Sequence, residues 1–138
     1  MALVVEVQDL VKDYNGFKAV DGVTFHVAQG EIFGLLGPNG AGKTTTILML
    51  LGMTEPTAGV VRVCGYDPNK EPLEVKRITG YLPENVGFYE DLTAKENLLY
   101  LTKLNGIPED VAIKKIDKVL TTVGLLEVKD KLVGTYSK

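Results

Sequence analysis

The sequence of 138 residues predicts an α/β fold, and three patterns lead to that prediction. Apolar and polar residues alternate through Val4–Tyr14 and Val23–Val27, as they do in half-exposed strands of antiparallel sheets. The continuous apolar run Ile32–Leu36 is typical of a buried parallel strand, and a glycine-rich loop and a helical segment follow it. From Thr93 onward, apolar residues recur at helical spacing. We therefore expect an antiparallel β part, part of a parallel sheet and a helical part.

The antiparallel part is predicted to turn at Asn15–Gly16 and to continue through a second extended piece that includes Lys18–Val20. A further strand is predicted over Ala58–Cys64, between two segments rich in turn residues. His26, the one histidine of the chain, invites a catalytic interpretation. Alternation places it opposite the apolar face of its strand, which favours a solvated strand residue instead.

Tyr14 ends the first predicted strand and precedes the glycine-rich loop. An aromatic ring in this position is a candidate to stack on a purine base whose phosphates the loop holds. A strand aromatic packed at a domain edge is the alternative, and spacing alone favours that alternative.

The glycine-rich loop carries the pattern G-x-x-x-x-G-K-S/T from Gly37 to Thr44, which is the phosphate-binding loop signature. Gly37, Gly40 and Gly42 let the backbone turn tightly and bring several N–H groups around a phosphate at a helix N-terminus. The following helix is predicted through Ile47–Leu51, with Gly52 at the position of a left-handed C-terminal cap. The pattern predicts a nucleoside triphosphate site, with a plain glycine-rich turn as the alternative.

Three side chains at the end of this loop have distinct expected roles. Lys43 is expected to reach the β- and γ-phosphate oxygens as a cation. Thr44 is expected to place its hydroxyl on Mg²⁺, and Thr45 to contact the α-phosphate.

A short helix is predicted over Pro72–Ile78, followed by a strand through Thr79–Leu82 that Pro83 ends. Glu84 comes directly after this strand. If the strand runs parallel to Ile32–Leu36, Glu84 is a candidate to face a γ-phosphate, a water molecule or a metal ion. An ordinary loop acid is an equally good interpretation.

The last third of the chain is predicted to be helical. Thr93 and Glu96 have the spacing of a capping box, and the apolar stripe that follows consists of Ala94, Leu98, Leu101 and Leu104. A second helix is predicted from Pro108 to Gly124. Its stripe consists of Ala112, Ile113, Ile116, Val119, Leu120 and Val123. We expect both stripes to be packing faces of two antiparallel helices.

Composition excludes several classes of function. A net charge of −3 and a pI near 5.2, with no basic stripe, argue against nucleic acid as a partner. The longest apolar stretch, Ile47–Leu51, is far too short to span a membrane, and the segment from Met1 lacks a secretory leader. The lone Cys64 cannot form an internal disulfide. These features predict a cytoplasmic location.

Taken together, these motifs resemble the N-terminal part of the ATP-binding domain of ABC transporters of the export type, a branch of the P-loop NTPases. The loop sequence GPNGAGKTT matches the Walker A motif of that family in full, and Tyr14 matches its base-stacking aromatic residue. Gly80–Glu84 lies where the family has its Q-loop, with Glu84 replacing the usual glutamine. Thr135–Lys138 resembles the start of the signature motif.

The resemblance implies ATP and Mg²⁺ as cofactors, with Lys43 and Glu84 in catalytic roles and Thr44 and Glu84 at the metal. The implied nucleotide-binding residues are Tyr14, Gly37, Pro38, Asn39, Gly40, Ala41, Gly42, Lys43, Thr44 and Thr45. The implied partners are a transmembrane permease subunit and a second ATP-binding subunit in a head-to-tail dimer. The chain would then lie at the inner face of the membrane through its permease.

The resemblance also implies that residues 1–85 hold the β subdomain and half of the nucleotide core, and residues 86–138 part of a helical subdomain. Its Walker B acid and water-polarising carboxylate have no counterpart in this sequence, so we expect these residues to bind nucleotide without efficient turnover. We expect the apolar edges at Ile32–Leu36 and Thr79–Leu82 to be exposed. A soluble ABC-type ATPase and a non-hydrolysing nucleotide-binding module are the alternatives. A GTPase is a weaker rival, because Asn69–Pro72 lacks the aspartate of a guanine-binding motif.

Overall fold

The computed structural model describes residues 2–137, which form two compact units, residues 2–81 and residues 82–137. Met1, with which the leader prediction begins, and Lys138, with which the signature prediction ends, lie outside the described residues. The predicted subdomain boundary after residue 85 stays a prediction.

The first unit is built on an antiparallel sheet of three strands, β1 (Leu3–Tyr14), β2 (Phe17–Ala28) and β3 (Ala58–Val63), in the order β2-β1-β3. The predicted turn joins β1 to β2, with φ of 52° at Asn15 and 92° at Gly16. Two successive positive φ angles are the geometry of a type I′ turn, whose twist matches that of the strands it joins. The strand predictions in this part of the chain are confirmed.

One face of the sheet is covered by two helices, α1 (Lys43–Leu50) and α2 (Pro72–Ile78). Their buried side chains Met49 and Val75 join strand residues in one apolar core. The strand residues of that core are Val7, Leu10, Val20, Val61 and Val63. His26 is exposed on the other face, as alternation predicts.

Helix α1 ends as its sequence predicts. Gly52 has a φ of 65°, and its N–H donates to the carbonyl of Met49 at 3.2 Å. The next N–H, from Met53, donates to the carbonyl of Leu48 at 2.9 Å. This pair of bonds is a Schellman motif, which satisfies carbonyls that the end of a helix leaves free.

The two parallel strands predicted at Ile32–Leu36 and Thr79–Leu82 are not formed, and that prediction is wrong for the described chain. A strand is stabilised by backbone hydrogen bonds to a neighbour, and the one sheet of residues 2–137 is the antiparallel one. The apolar side chains of these segments are exposed as expected, with Ile32 99% and Leu36 91% accessible. Leu35 is half-buried, and the ring of Phe33 stacks on that of Phe25 with the ring centroids 5.0 Å apart.

The second unit consists of α3 (Ala94–Leu104), α4 (Glu109–Thr122) and two short 3₁₀ turns, Leu126–Val128 and Val133–Thr135. The capping box is confirmed, because Thr93 accepts from the N–H of Glu96 at 3.1 Å and Glu96 accepts from the N–H of Thr93 at 2.8 Å. These hydrogen bonds lower the pKa of Glu96.

The predicted packing stripes are only partly buried. Ala112, Ile116 and Leu120 of α4 form the core of this unit, together with half-buried residues such as Leu98. Leu101 and Leu104 of α3, and Val119 and Val123 of α4, are exposed instead. Two helices bury a narrower seam than the apolar stripe of either, so the prediction fails for the outer residues.

Candidate functional site

The phosphate-loop residues form a tight turn directly before α1. The N–H of Ala41 donates to the carbonyl of Pro38 at 3.1 Å, which closes a turn around Asn39 and Gly40. Gly40 and Gly42 have φ angles of 83° and 86°, in the left-handed region that favours glycine. The loop is therefore wrapped in front of a helix as the signature predicts.

Gly42 also anchors the loop on strand β2. A Cβ atom at this position would lie 2.2 Å from the carbonyl oxygen of Ala19 and 3.0 Å from a methyl of Val20. The first distance is shorter than real Cβ contacts and the second is tighter than most of them, so only glycine permits this approach of the loop backbone to β2. Sequence reasoning missed this contact, because nothing in the local pattern around Ala19 indicates it.

The side chain of Lys43 folds back over the loop. Its Nζ donates to the carbonyl of Gly37 and, at 2.7 Å, to the carbonyl of Pro38. The buried Thr46 fixes the first turn of α1, since its N–H and its hydroxyl both donate to the carbonyl of Gly42 at 2.9 Å. The Lys43 ammonium group is thus held by main-chain carbonyls of the loop, and the first turn of α1 is fixed by Thr46.

The start of α1 fits the phosphate groups of a nucleotide. No side chain caps it, and no acidic residue lies in its first turn. Its N–H groups are therefore available to an anion at the positive end of the helix dipole, beside the Lys43 ammonium. Thr44 is exposed and Thr45 half-buried at this end.

A divalent metal ion at this site would need ligands from the nucleotide in addition to those from the protein. Among residues 2–137, no group of three or more His, Cys, Asp or Glu side chains is placed to hold a metal ion. The exposed Thr44 hydroxyl is one oxygen donor, and Mg²⁺ is typically bound by few protein ligands together with water and substrate phosphates.

Tyr14 lies at the end of β1, where it pairs with Phe17 across the hairpin. Its side chain is 49% accessible. The Nζ of Lys12 lies 4.9 Å from the centroid of its ring. Sequence reasoning missed Lys12, although its position two residues before Tyr14 on the same strand was a usable signal. The hairpin that carries Tyr14 also supports the phosphate loop through Ala19 and Val20.

Glu84 is exposed in a bend of the second unit, whereas the phosphate loop belongs to the first. The residues predicted to begin the signature, Thr135–Ser137 among those described, follow a segment tied to the loop before α3. The N–H of Val133 donates to the carbonyl of Leu92 at 2.9 Å, and that of Gly134 to the carbonyl of Glu90 at 3.0 Å. The roles assigned to Glu84 and to the residues that would begin the signature motif stay predictions.

No helix among residues 2–137 combines the length and the apolar character needed to cross a bilayer.

Comparison with known proteins gives concordant results. A family profile described as "ABC transporter" matches residues 20–138. The bacitracin transport ATP-binding protein BcrA of Bacillus licheniformis is 46% identical over 99% of this chain, which covers 44% of that protein. The daunorubicin/doxorubicin resistance ATP-binding protein DrrA of Streptomyces peucetius is 40% identical over 96% of the chain, which covers 40% of that protein. The chain thus spans less than half the length of these curated relatives.

Solved structures agree with the sequence relatives. An ATP-binding subunit of an ABC transporter superposes with a TM-score of 0.78 at 32% identity, over 98% of this chain and 56% of that one. The resemblance in the sequence is therefore confirmed, and so is the α/β fold class of a P-loop ATPase. Because the profile matches most of the chain and the phosphate loop is wrapped before a helix, this chain belongs to the ABC transporter family of ATP-binding proteins.

Proposed function

We propose that this chain binds MgATP through residues Gly37–Thr45 and Tyr14. The observation that carries the proposal is the uncapped N-terminus of α1 beneath a left-handed glycine turn, with the Lys43 ammonium held over the loop. In this proposal Gly37, Pro38, Asn39, Gly40, Ala41 and Gly42 surround the phosphates with backbone, and Thr45 contacts the α-phosphate.

The charged and hydroxyl side chains bind the terminal phosphates and the metal ion. Lys43 exchanges its contacts to the loop carbonyls for the β- and γ-phosphate oxygens, which it binds as a point charge. Thr44 and Glu84 are the proposed protein ligands of Mg²⁺, which would neutralise charge on those oxygens. Glu84 stands where the family has a neutral glutamine, so its carboxylate adds negative charge that favours a metal contact over the orientation of a water molecule.

For the whole protein, we propose an ATPase subunit that drives export through a transmembrane permease. BcrA and DrrA, whose names state bacitracin transport and drug resistance, support this assignment. A second ATP-binding subunit would complete a head-to-tail dimer, and the subunit would lie on the cytoplasmic side of the membrane through its permease. Residues 1–85 would form the β subdomain and half of the nucleotide core of this subunit. Residues 86–138 would form part of its helical subdomain.

For these 138 residues alone, we propose nucleotide binding without efficient turnover. Phosphoryl transfer needs an anchored metal and an oriented water, and the Walker B acid and water-polarising carboxylate of the family have no counterpart among these residues. A soluble ABC-type ATPase remains the alternative for the whole protein. Stimulation of ATP hydrolysis by a co-reconstituted permease would distinguish the two.

Calorimetric titration of the chain with MgATP tests the binding proposal. We expect saturable binding that Lys43→Ala weakens at least about tenfold, since it removes the charged group from the loop. Lys76→Ala is the matched control, because Lys76 is an exposed lysine at the end of α2. Absence of saturable binding, or equal losses for both variants, would refute the assignment. Phosphate release measured on the same sample tests turnover, and release abolished by Lys43→Ala would overturn the non-turnover part.

A further inference from the structure

The side chain of Lys12 is held between the ring of Tyr14 and a neighbouring loop. Its Nζ lies 4.9 Å from the ring centroid and donates to the carbonyl of Glu55 at 2.6 Å. Lys12 is half-buried, whereas Tyr14 is exposed. The ammonium group of this long side chain thus has two partners, the ring of Tyr14 and the carbonyl of Glu55.

The strand end that carries Tyr14 is fastened to the same loop by backbone contacts. The hydroxyl of Thr57 accepts from the N–H of Asp13 at 2.9 Å, and the N–H of Thr57 donates to the carbonyl of Val11 at 2.8 Å. Asp13 also accepts from the N–H of Gly16 at 2.6 Å, which closes the hairpin turn. The ring therefore stands on a rigid hairpin end.

An ammonium group near an aromatic ring is attracted to the negative face of the ring. This attraction favours one orientation of the ring, and about half of the Tyr14 side chain, 49%, stays accessible to a planar ligand. A binding group fixed in its bound orientation loses less entropy when the ligand arrives. Lys12 is thereby suited to prepare Tyr14 for stacking.

We propose that Lys12 is a positioning residue that sets how strongly Tyr14 stacks on the base of a nucleoside triphosphate. The proposal rests on the proposed function and extends it from the phosphates to the base. It requires the base-dependent share of the affinity, and not the phosphate-dependent share, to depend on Lys12.

A second effect of the Lys12 charge must be separated from this one. A positive charge on the hairpin also attracts any polyphosphate through space. Tripolyphosphate carries the phosphates without a base, so that general attraction changes its affinity and that of ATP alike. The ratio of the two dissociation constants isolates stacking.

The experiment is calorimetric titration of the full chain with MgATP and with magnesium tripolyphosphate. The variants are Lys12→Met, which keeps the stem and removes the charge, Lys12→Arg, which keeps a cation over the ring, and Tyr14→Ala. Lys18→Met is the matched control on the same hairpin, where Lys18 pairs with Asp21 at 2.9 Å instead of with a ring. The double variant of Lys12→Met and Tyr14→Ala completes a cycle.

We expect Lys12→Met to reduce the preference for ATP over tripolyphosphate by about two- to fivefold, and Lys12→Arg to retain that preference. Lys18→Met should leave the preference unchanged, and Lys12→Met should not reduce it further once Tyr14 is removed. If ATP binds and Lys12→Met leaves the ratio unchanged, the inference is overturned while the proposed function stands. If neither ligand binds the unmodified chain, the proposed function fails and the inference fails with it.

Discussion

Gly42 satisfies two separate constraints in the phosphate loop. Its φ of 86° lies in the left-handed region, and its α-carbon approaches the carbonyl of Ala19 so closely that no side chain fits between them. Gly40 shares the first constraint only, because a Cβ at Gly40 would meet nothing within 4 Å. The two glycines of one motif are therefore not equivalent.

This difference predicts unequal costs for the same substitution. We expect Gly42→Ala to lower the free energy of unfolding of the first unit by on the order of 3 kcal/mol and to abolish MgATP binding, since the loop must leave β2. Gly40→Ala adds only left-handed strain and should cost about 1 kcal/mol. Urea unfolding followed by NMR signals of the first unit measures both values. Similar losses for the two variants would contradict the proposed contact with β2.

Asn97 holds a loop in place in the second unit, as Gly42 does in the first. Its buried amide forms hydrogen bonds to the loop before α3. Its Nδ2 donates to the carbonyls of Tyr89 at 2.9 Å, Thr93 at 3.0 Å and Leu92 at 3.4 Å. Its Oδ1 accepts from the N–H of Tyr89 at 2.9 Å. One buried side chain thus makes four hydrogen bonds to the backbone, although each of the three carbonyls also accepts a backbone N–H.

Removal of this buried amide takes four hydrogen bonds from the loop before α3, among them the one that the N–H of Tyr89 donates. We expect Asn97→Ala to lower the free energy of unfolding of the second unit by about 2 to 4 kcal/mol. Asn105→Ala is the matched control, since the exposed Asn105 makes one bond, to the carbonyl of Leu101 at 2.8 Å. Its loss should stay below about 1 kcal/mol. Hydrogen exchange of the α3 and α4 amides measures both losses. Equal protection factors in the two variants would refute the stabilising role of the Asn97 amide.

At the scale of elements, helix α3 shows how its N-terminus couples stability to pH. Thr93 and Glu96 exchange hydrogen bonds across the first turn, and the bonds from Thr93 lower the pKa of Glu96. A carboxylate whose pKa is lower in the folded chain binds protons more readily in the unfolded one. Its stabilising effect is therefore present above the unfolded pKa and is lost as the pH falls through the folded pKa.

The capping box accordingly predicts an acid-sensitive end of α3. Protection of its first amides from hydrogen exchange should decline as the pH falls below the ordinary glutamate pKa of 4.5 and through the lower pKa of folded Glu96. Glu96→Gln removes the titrating group and should flatten this dependence, while Thr93→Ala should cost about 1 kcal/mol at neutral pH. A decline of unchanged size in the glutamine variant would assign the effect to another group.

Elements that depend on local signals are those that sequence reasoning placed correctly. Asn15–Gly16 specifies its own turn and Gly52 its own helix end, because positive φ angles are decided within a few residues. Ile32–Leu36 is different, since an apolar run becomes a strand only beside a hydrogen-bonding neighbour. The contact of Gly42 with Ala19 is equally non-local. The motif thus predicts the chemistry of the site, whereas the contact of the phosphate loop with β2 becomes evident only in the structure.

At the scale of the molecule, the two units have separate cores. The first joins the sheet to α1 and α2 around residues such as Leu10 and Met49, and the second rests on Ala112, Ile116 and Leu120. Substitutions that act within one core are therefore expected to change the stability of that unit.

The exposed run Ile32–Leu36 should make the chain self-associate. Its backbone has no strand neighbour among the described residues, and its side chains Ile32 and Leu36 are almost fully accessible. Exposed apolar segments with free backbone groups pair with other chains. Sedimentation velocity should therefore show species larger than a monomer that increase with concentration.

Replacement of the two most exposed residues of that run, Ile32 and Leu36, by lysine should suppress this association, because charge opposes edge-to-edge pairing. Leu73→Lys is the matched control: Leu73 is 66% exposed, but its backbone lies in helix α2. If apolar exposure alone drove association, the control would suppress it as well. If the free backbone of the run is also required, only Ile32→Lys with Leu36→Lys will yield a monomer. A chain that sediments as a monomer without any substitution would show that the run is protected in solution.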